Sequence, residues 1–204
     1  MKSWRLSHRA RGAAWALALV LGVTLATVAG ACSSNDGGGG RTDGVRITEP
    51  EDAIDEELML ALVRAKNFHQ IAQVYMSDDK LAEATRAVRQ ILEVPFPAGA
   101  PEAEDVRLDA RALLAKLLVR QGQLEAAMTA IDDGLAGKTR DSFFVANLYT
   151  VRGEVLRAQA AALDGSSQPA DQARAAELRK QAILALEQSN TIAEALLQRL
   201  MGAR

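Results

Sequence analysis

The sequence predicts an all-α protein, and three observations carry this prediction. Much of the 49% apolar content is Ala and Leu, whereas aromatic residues make up only 4%, and both features favour helices over strands. No alternating run of β-branched residues appears. Within residues 68–92, apolar side chains recur at i, i+3, i+4 and i+7 on either side of the polar residues 77–80. This pattern predicts two antiparallel helices whose shared face is too broad for one hairpin to cover, so we expect further copies.

The N-terminal residues have the character of an export signal. Residues 1–11 are basic, and residues 12–31 form an apolar run long enough to span a bilayer. Small residues then lead to Cys32, the only cysteine in the chain. The stretch resembles a bacterial lipobox, which implies that residues 1–31 are removed and that Cys32 carries a diacylglycerol and acyl lipid. An uncleaved anchor helix and an ordinary signal with an unrelated cysteine are the alternatives.

Residues 32–47 predict a flexible tether, because they are rich in Ser, Asn, Asp and Gly and include four consecutive glycines. Ser33 follows the cysteine, and the sorting pattern of Gram-negative lipoproteins then implies the periplasmic face of the outer membrane. Four of the 24 basic residues precede the apolar run, which leaves 20 against 26 acidic residues in the rest of the chain. This mildly acidic balance argues against a nucleic-acid partner.

The folded body is predicted over residues 48–204. A capping box beginning at Thr48, with Pro50 in the first turn, predicts one long helix to Tyr75, or two with a bend near residues 66–67. The next helix ends at residues 94–97, because proline cannot continue a helix, and residues 98–104 are expected to form a loop. Residues 105–136 then repeat the hairpin pattern.

Two pairs of alanines carry a family resemblance. Ala72 and Ala84 lie 12 positions apart, as do Ala115 and Ala127. Residues 121–127, Gln-Gly-Gln-Leu-Glu-Ala-Ala, look like the inter-helix turn of a tetratricopeptide repeat. That family is a 34-residue helix-turn-helix with small residues at its eighth and twentieth positions, which implies that these alanines are a packing signature.

A third copy begins at Phe143, with Gly153 at the family's eighth position. Its turn is enlarged, so the candidate for the second small residue, Ala175, lies 22 positions later. The resemblance implies a short right-handed α-solenoid of about three hairpins, with flanking helices at both ends. The repeats are expected at residues 65–97, 108–138 and 146–188, with a closing helix at residues 191–203. One continuous helix from Ala170 onward is the alternative to that closing helix, and an irregular helical bundle is the alternative to the solenoid.

The residues that carry chemistry do not form an active-site motif. The histidines are His8 and His69 alone, so a site of His and Cys ligands for a metal is excluded. The acidic pairs at residues 78–79 and 132–133 lie at a predicted turn and a helix end, where Asp is ordinary. The sequence therefore predicts no enzyme, no metal, no small-molecule substrate and no cofactor apart from the lipid on Cys32.

The remaining candidate is a surface. In tetratricopeptide arrays the first helices of the repeats line a concave groove that binds peptides. The resemblance implies that this groove is formed by Lys66, His69, Gln73, Met76 and Ser77 in the first repeat, by Asp109, Ala112, Lys116, Val119 and Arg120 in the second, and by Asn147, Thr150, Glu154, Arg157 and Ala158 in the third. Its lysines and arginines predict a basic face that binds the carboxylates of an extended segment. A solvated face without a ligand is the alternative, and Phe143 with Phe144 is a second candidate surface.

These observations predict a lipoprotein of the cell envelope that serves as a non-catalytic interaction module or assembly scaffold. Its expected partners are other envelope proteins or peptides, with the membrane reached through the lipid. The alternative function is structural: a helical lipoprotein that associates with copies of itself and has no separate ligand.

Overall fold

The computed structural model describes residues 55–203, which belong to one compact unit beginning at Thr48. The predictions for the signal, Cys32, the tether and the Thr48 cap lie outside the described residues. The described part is all-α, as predicted. Its helices are α1 (Glu56–Ser77), α2 (Leu81–Glu93), α3 (Pro101–Arg120), α4 (Leu124–Ala136), α5 (Phe143–Ala161) and α6 (Pro169–Gly202). None of these helices is both long enough and apolar enough to cross a membrane.

Helix α1 begins at Glu56, directly after Asp55. Asp55 has an extended backbone conformation (φ −67°, ψ 99°), and its carboxylate accepts a hydrogen bond from the Leu58 N–H at 3.0 Å. This is N-capping, in which a side-chain oxygen satisfies an amide that has no partner within the helix. From that cap α1 continues as one helix through residues 66–67.

The two short turns between helices are built alike. In the α1–α2 turn, Asp79 has φ +57° and the Lys80 N–H donates to the Tyr75 carbonyl at 2.8 Å. In the α3–α4 turn, Gly122 has φ +74° and the Gln123 N–H donates to the Leu118 carbonyl at 2.9 Å. Both are Schellman caps, in which one left-handed residue lets later amides pair with the last carbonyls of the helix.

The helices pack as three consecutive hairpins, α1–α2, α3–α4 and α5–α6, and α2 and α4 each also pack against the next hairpin. The four signature alanines lie where the helices of the first two hairpins meet, and each is fully buried: Ala72, Ala84, Ala115 and Ala127. A methyl side chain lets two backbones approach closely, so a larger residue at these positions would separate the helices.

The structure of the third hairpin differs from the sequence prediction in two respects. A methyl group added at Gly153 would lie 3.2 Å from the Ala182 carbonyl oxygen and 3.0 Å from Leu186 Cγ, so Gly153 faces Ala182 and not Ala175. Helix α6 is also continuous from Pro169 to Gly202, so the alternative of one helix from Ala170 onward is confirmed and the separate closing helix at residues 191–203 is wrong. The Thr191 hydroxyl donates to the Glu187 carbonyl at 3.0 Å, as threonine does inside a helix, and so does not cap a new one.

A further correction concerns the start of α3. Residues 98–104 were expected to form a loop, but α3 begins at Pro101, its first helical residue. Proline suits this position because its fixed φ is helical and its missing N–H would have no partner there. Glu102 and Glu104 follow in the first turn, where negative charge is favourable. The acidic start of α3 thereby becomes part of a helical surface.

Candidate partner-binding trough

An open trough of about 690 Å³ lies between α1 and α3. Among the described helices, α3 packs against α5, whereas α1 packs chiefly against α2. The space beside α1 is therefore left open along part of its length. Its floor is apolar and is formed by Leu62, Ala65, Ile91, Val106, Ala110 and Phe144. A recess of this size with an apolar floor and polar rims is typical of a binding site.

Small residues create the depth of the trough. Ala65 on α1 and Ala110 on α3 are buried, and Ile91 of α2 closes the space below them. Phe144, at the start of α5, is still 37% exposed. The ring therefore offers an aromatic surface that a bound side chain could cover.

The α1 rim is polar and carries the positive charge of Lys66. It is formed by Lys66, His69 and Gln73, spaced by three and four residues along one side of the helix, and by Gln70 beside them. A hydrogen bond of 3.0 Å joins Gln73 Nε2 to His69 Nε2. This pairing fixes the amide and the imidazole relative to each other.

The α3 rim is acidic and is formed by Glu102, Asp105 and Asp109. Asp105 Oδ2 accepts a hydrogen bond from Arg140 Nη2 at 2.7 Å, while Asp105 Oδ1 is buried and has no hydrogen-bond partner. Glu102 is exposed and Asp109 is half-buried. The two rims thus differ in charge, so a segment lying between them would be oriented by its own charges.

The trough contains four of the predicted groove residues: Lys66, His69, Gln73 and Asp109. Glu154 and Arg157 line a different depression of about 660 Å³, beside the α5–α6 turn. Ala158 lines that second depression together with Glu154 and Arg157. The remaining predicted groove residues line neither depression: Met76, Ser77, Ala112, Lys116, Val119, Arg120, Asn147 and Thr150.

Three of the predicted groove residues have contacts within the fold. Ala112 is buried in the core. The Arg120 guanidinium pairs with the Asp79 carboxylate at 2.8 Å. The Thr150 hydroxyl lies 2.9 Å from Ser189 Oγ and so is engaged by α6. Of the predicted cations, Lys66 alone lines the trough, and the rim opposite it is acidic. The basic groove expected from the sequence stays a prediction.

Sequence reasoning missed Gln70, Glu102, Asp105 and Phe144 as residues of the trough. Glu102 was placed in a loop, although proline followed by acidic residues is a recognisable start of a helix. The sequence predicted Phe144, together with Phe143, as a second candidate surface separate from the groove. Its position at the end of the trough depends on how α5 packs against α3, which no local pattern encodes.

A third depression, of about 610 Å³, contains three arginines that have partners within the fold. Arg111 pairs with Asp133 at 2.9 Å, Arg140 pairs with Asp105, and the Arg107 guanidinium lies 5.4 Å from the centroid of the Phe96 ring. Each of these three arginines therefore has a partner within the fold.

The α4–α5 loop is held against α3 by Glu104. The Thr139 hydroxyl donates to one carboxylate oxygen of Glu104, and the Thr139 N–H donates to the other at 2.9 Å. The hydroxyl contact is the main reason that the pKa of Glu104 lies below its ordinary value; burial acts in the opposite direction, and the backbone hydrogen bonds and the charge of Arg140 lower the pKa further. The carboxylate form therefore stabilises the loop.

The described residues contain no group of three or more His, Cys, Asp or Glu side chains arranged to hold a metal ion. Among known proteins, no family model, no curated protein and no solved structure matches this chain.

Proposed function

We propose that this protein is a membrane-anchored lipoprotein of the cell envelope that binds a protein partner in the α1–α3 trough and catalyses no reaction. The observation that carries the binding role is the trough itself, with its apolar floor between an acidic and a polar, partly basic rim. The basic segment, apolar run and Cys32 at the N-terminus support the anchor. The succession of short helical hairpins with buried alanines supports the resemblance to tetratricopeptide repeats.

The charges of the two rims indicate what kind of segment would fit the trough. A segment that fits would place two or three apolar side chains on the floor, Lys or Arg toward Glu102 and Asp109, and an acidic or amide group toward Lys66. Each apolar side chain removed from water contributes about 1.5–3 kcal/mol, and much of that gain is offset by the ordering of the bound segment. We therefore expect a reversible complex with a Kd on the order of micromolar.

The binding role is tested by crosslinking in living cells. A photoreactive amino acid at Gln73, an exposed residue of the α1 rim, should give a covalent adduct with a discrete partner. The same amino acid at Glu177, exposed on α6, should not give that adduct. Identical adducts from both positions, or none from Gln73, would refute binding in the trough.

Charge reversal provides a second test of the same site. Glu102→Lys with Asp109→Lys should abolish the adduct formed from Gln73, because both acidic contacts to the partner become repulsive. The matched control, Glu177→Lys with Glu187→Lys, changes the net charge equally on exposed positions of α6. An adduct that persists with the first pair would show that the acidic rim takes no part in binding.

The anchor is tested separately. Cys32→Ala should abolish incorporation of radioactive palmitate, whereas Ser33→Ala should keep it. Palmitate labelling that survives in Cys32→Ala would refute the lipid anchor. The two tryptophans, Trp4 and Trp15, both lie in the predicted signal, so the mature protein should also show no tryptophan emission.

A further inference from the structure

The outer face of α1 carries an apolar stripe that nothing in the described residues covers. We call Leu60, Val63, Asn67, Ile71 and Val74 the outer α1 stripe. It lies opposite the face that buries Ala61, Ala65 and Ala72 in the core. Its four apolar side chains are 44–61% exposed. Together they form a patch on the order of a few hundred Å², the size at which exposed apolar surface marks an interaction site.

The spacing of the stripe is symmetric. Its members follow one another at intervals of three, four, four and three residues, with Asn67 in the centre. These intervals keep all five residues on one side of an α-helix. The same pattern is therefore read from either end of the helix.

A symmetric stripe fits a second copy of itself. If two α1 helices cross antiparallel with the two Asn67 residues at the two-fold axis, Leu60 of each copy faces Val74 of the other, and Val63 faces Ile71. Such a two-fold contact uses the same patch on both subunits. The Asn67 amide both donates and accepts, so two copies of it can hydrogen-bond to each other at the axis. We propose that two copies of this chain associate through their outer α1 stripes in this antiparallel arrangement.

The size and the charges of the stripe set the strength of this dimer. The patch is smaller than the roughly 800 Å² per partner of a standard stable interface, so the dimer should form in the micromolar range. The proposed arrangement also places Glu56 of one copy near Asp78 of the other. Lys80 Nζ, 3.2 Å from Asp78 Oδ2, offsets part of that repulsion. Moderate salt should therefore strengthen the association, because it screens the like charges.

The dimer does not depend on the proposed binding role. The trough uses Leu62, Lys66, His69 and Gln73 on another side of α1, and Gln70 adjoins both surfaces. A failure of crosslinking from Gln73 to a foreign partner would therefore leave the dimer standing, and loss of the dimer would leave the trough available.

Disulfide crosslinking of the full chain tests both the contact and its direction. The parental chain, whose only cysteine is Cys32, gives the baseline. Asn67→Cys should form a covalent dimer rapidly on oxidation. Val63→Cys and Ile71→Cys should crosslink mainly with each other when two differently tagged chains are mixed, and weakly with themselves. The control is Glu177→Cys on α6.

The outcomes are decisive in either direction. Val63→Glu with Ile71→Glu should weaken the dimer, measured by sedimentation equilibrium, by on the order of 100-fold, because four carboxylates would meet at the contact. Both residues are about half exposed, so the helical circular-dichroism signal and the unfolding temperature should not change. A parental chain that remains monomeric, equal crosslinking from Asn67→Cys and Glu177→Cys, self-crosslinking of Val63→Cys in preference to mixed crosslinking, or a dimer that survives the double substitution would each overturn the proposal.

Discussion

Replacing Gly122 by alanine measures how much one backbone angle in the second hairpin contributes to the free energy of unfolding. Gly122 has φ +74°, and a methyl group added there would meet no atom within 4 Å. The substitution therefore adds no clash and removes no contact. A side chain in the left-handed region costs about 1–2 kcal/mol, and alanine returns about 0.4–1 kcal/mol by restricting the unfolded chain. The net expectation is a loss of about 1 kcal/mol in the free energy of unfolding.

Gly165→Ala is the matched control. An added methyl group at Gly165 also meets nothing within 4 Å, but the φ of Gly165 is not in the left-handed region. Urea unfolding of the full chain, followed by far-ultraviolet circular dichroism, should give a lower midpoint for Gly122→Ala with an unchanged m-value. Gly165→Ala should leave the midpoint equal or slightly higher. Equal midpoints for the two variants would refute the assignment of the α3–α4 turn as a Schellman cap.

Three further changes probe other contacts. Gly153→Ala places a methyl group 3.2 Å from the Ala182 carbonyl oxygen, so we expect a loss of about 1–3 kcal/mol in the urea-derived stability; an unchanged stability would mean that α5 and α6 are not closely packed there. Thr150→Val removes the 2.9 Å hydrogen bond to Ser189 and should cost about 1 kcal/mol, and a double-mutant cycle with Ser189→Ala should show coupling between the two residues. Because the pKa of Glu104 is lowered in the folded state from its ordinary value of 4.5, its contribution to stability is fully present above that value and is lost as the pH falls through the folded pKa. In Glu104→Gln, thermal unfolding should show a smaller decline in stability over this acidic range than in the parental chain, and an equal decline would contradict the role of Glu104.

The hairpins were predictable because the signals that specify them are local. The spacing of Ala72 and Ala84 by 12 residues places two small side chains where neighbouring backbones meet, and both are fully buried. Proline at residue 95 and glycine at residue 122 each end the helix that precedes them, and this effect depends only on residues within about one helical turn. Asp79 is unusual because it is not a glycine, yet it adopts the left-handed conformation in the α1–α2 turn. No glycine marks that position, yet the polar residues around it still indicated a break between two helices.

The third hairpin and the binding surface were less predictable for a physical reason. Helix α6 continues through Thr191 because a continuous helix packs Ile192 into the core. The residues from Thr191 onward nevertheless resemble the N-terminal cap of a new helix. The family positions used for the groove assume that successive first helices pack alike, whereas α1 is set off from α3 by the trough. Arg120 was expected to line the groove, and its guanidinium forms an ion pair with Asp79 of the neighbouring hairpin.

The sequence by itself determined the helical class, the first two hairpins, their turns and their alanine contacts, since each depends on residues close together in the chain. Only the tertiary structure decided that Gly153 faces Ala182, that an acidic α3 rim opposes Lys66, and that the outer α1 stripe has no cover among the described residues. Those features depend on the relative placement of whole helices. That placement is set by the summed packing of side chains distant in sequence, and no periodicity within one segment contains it.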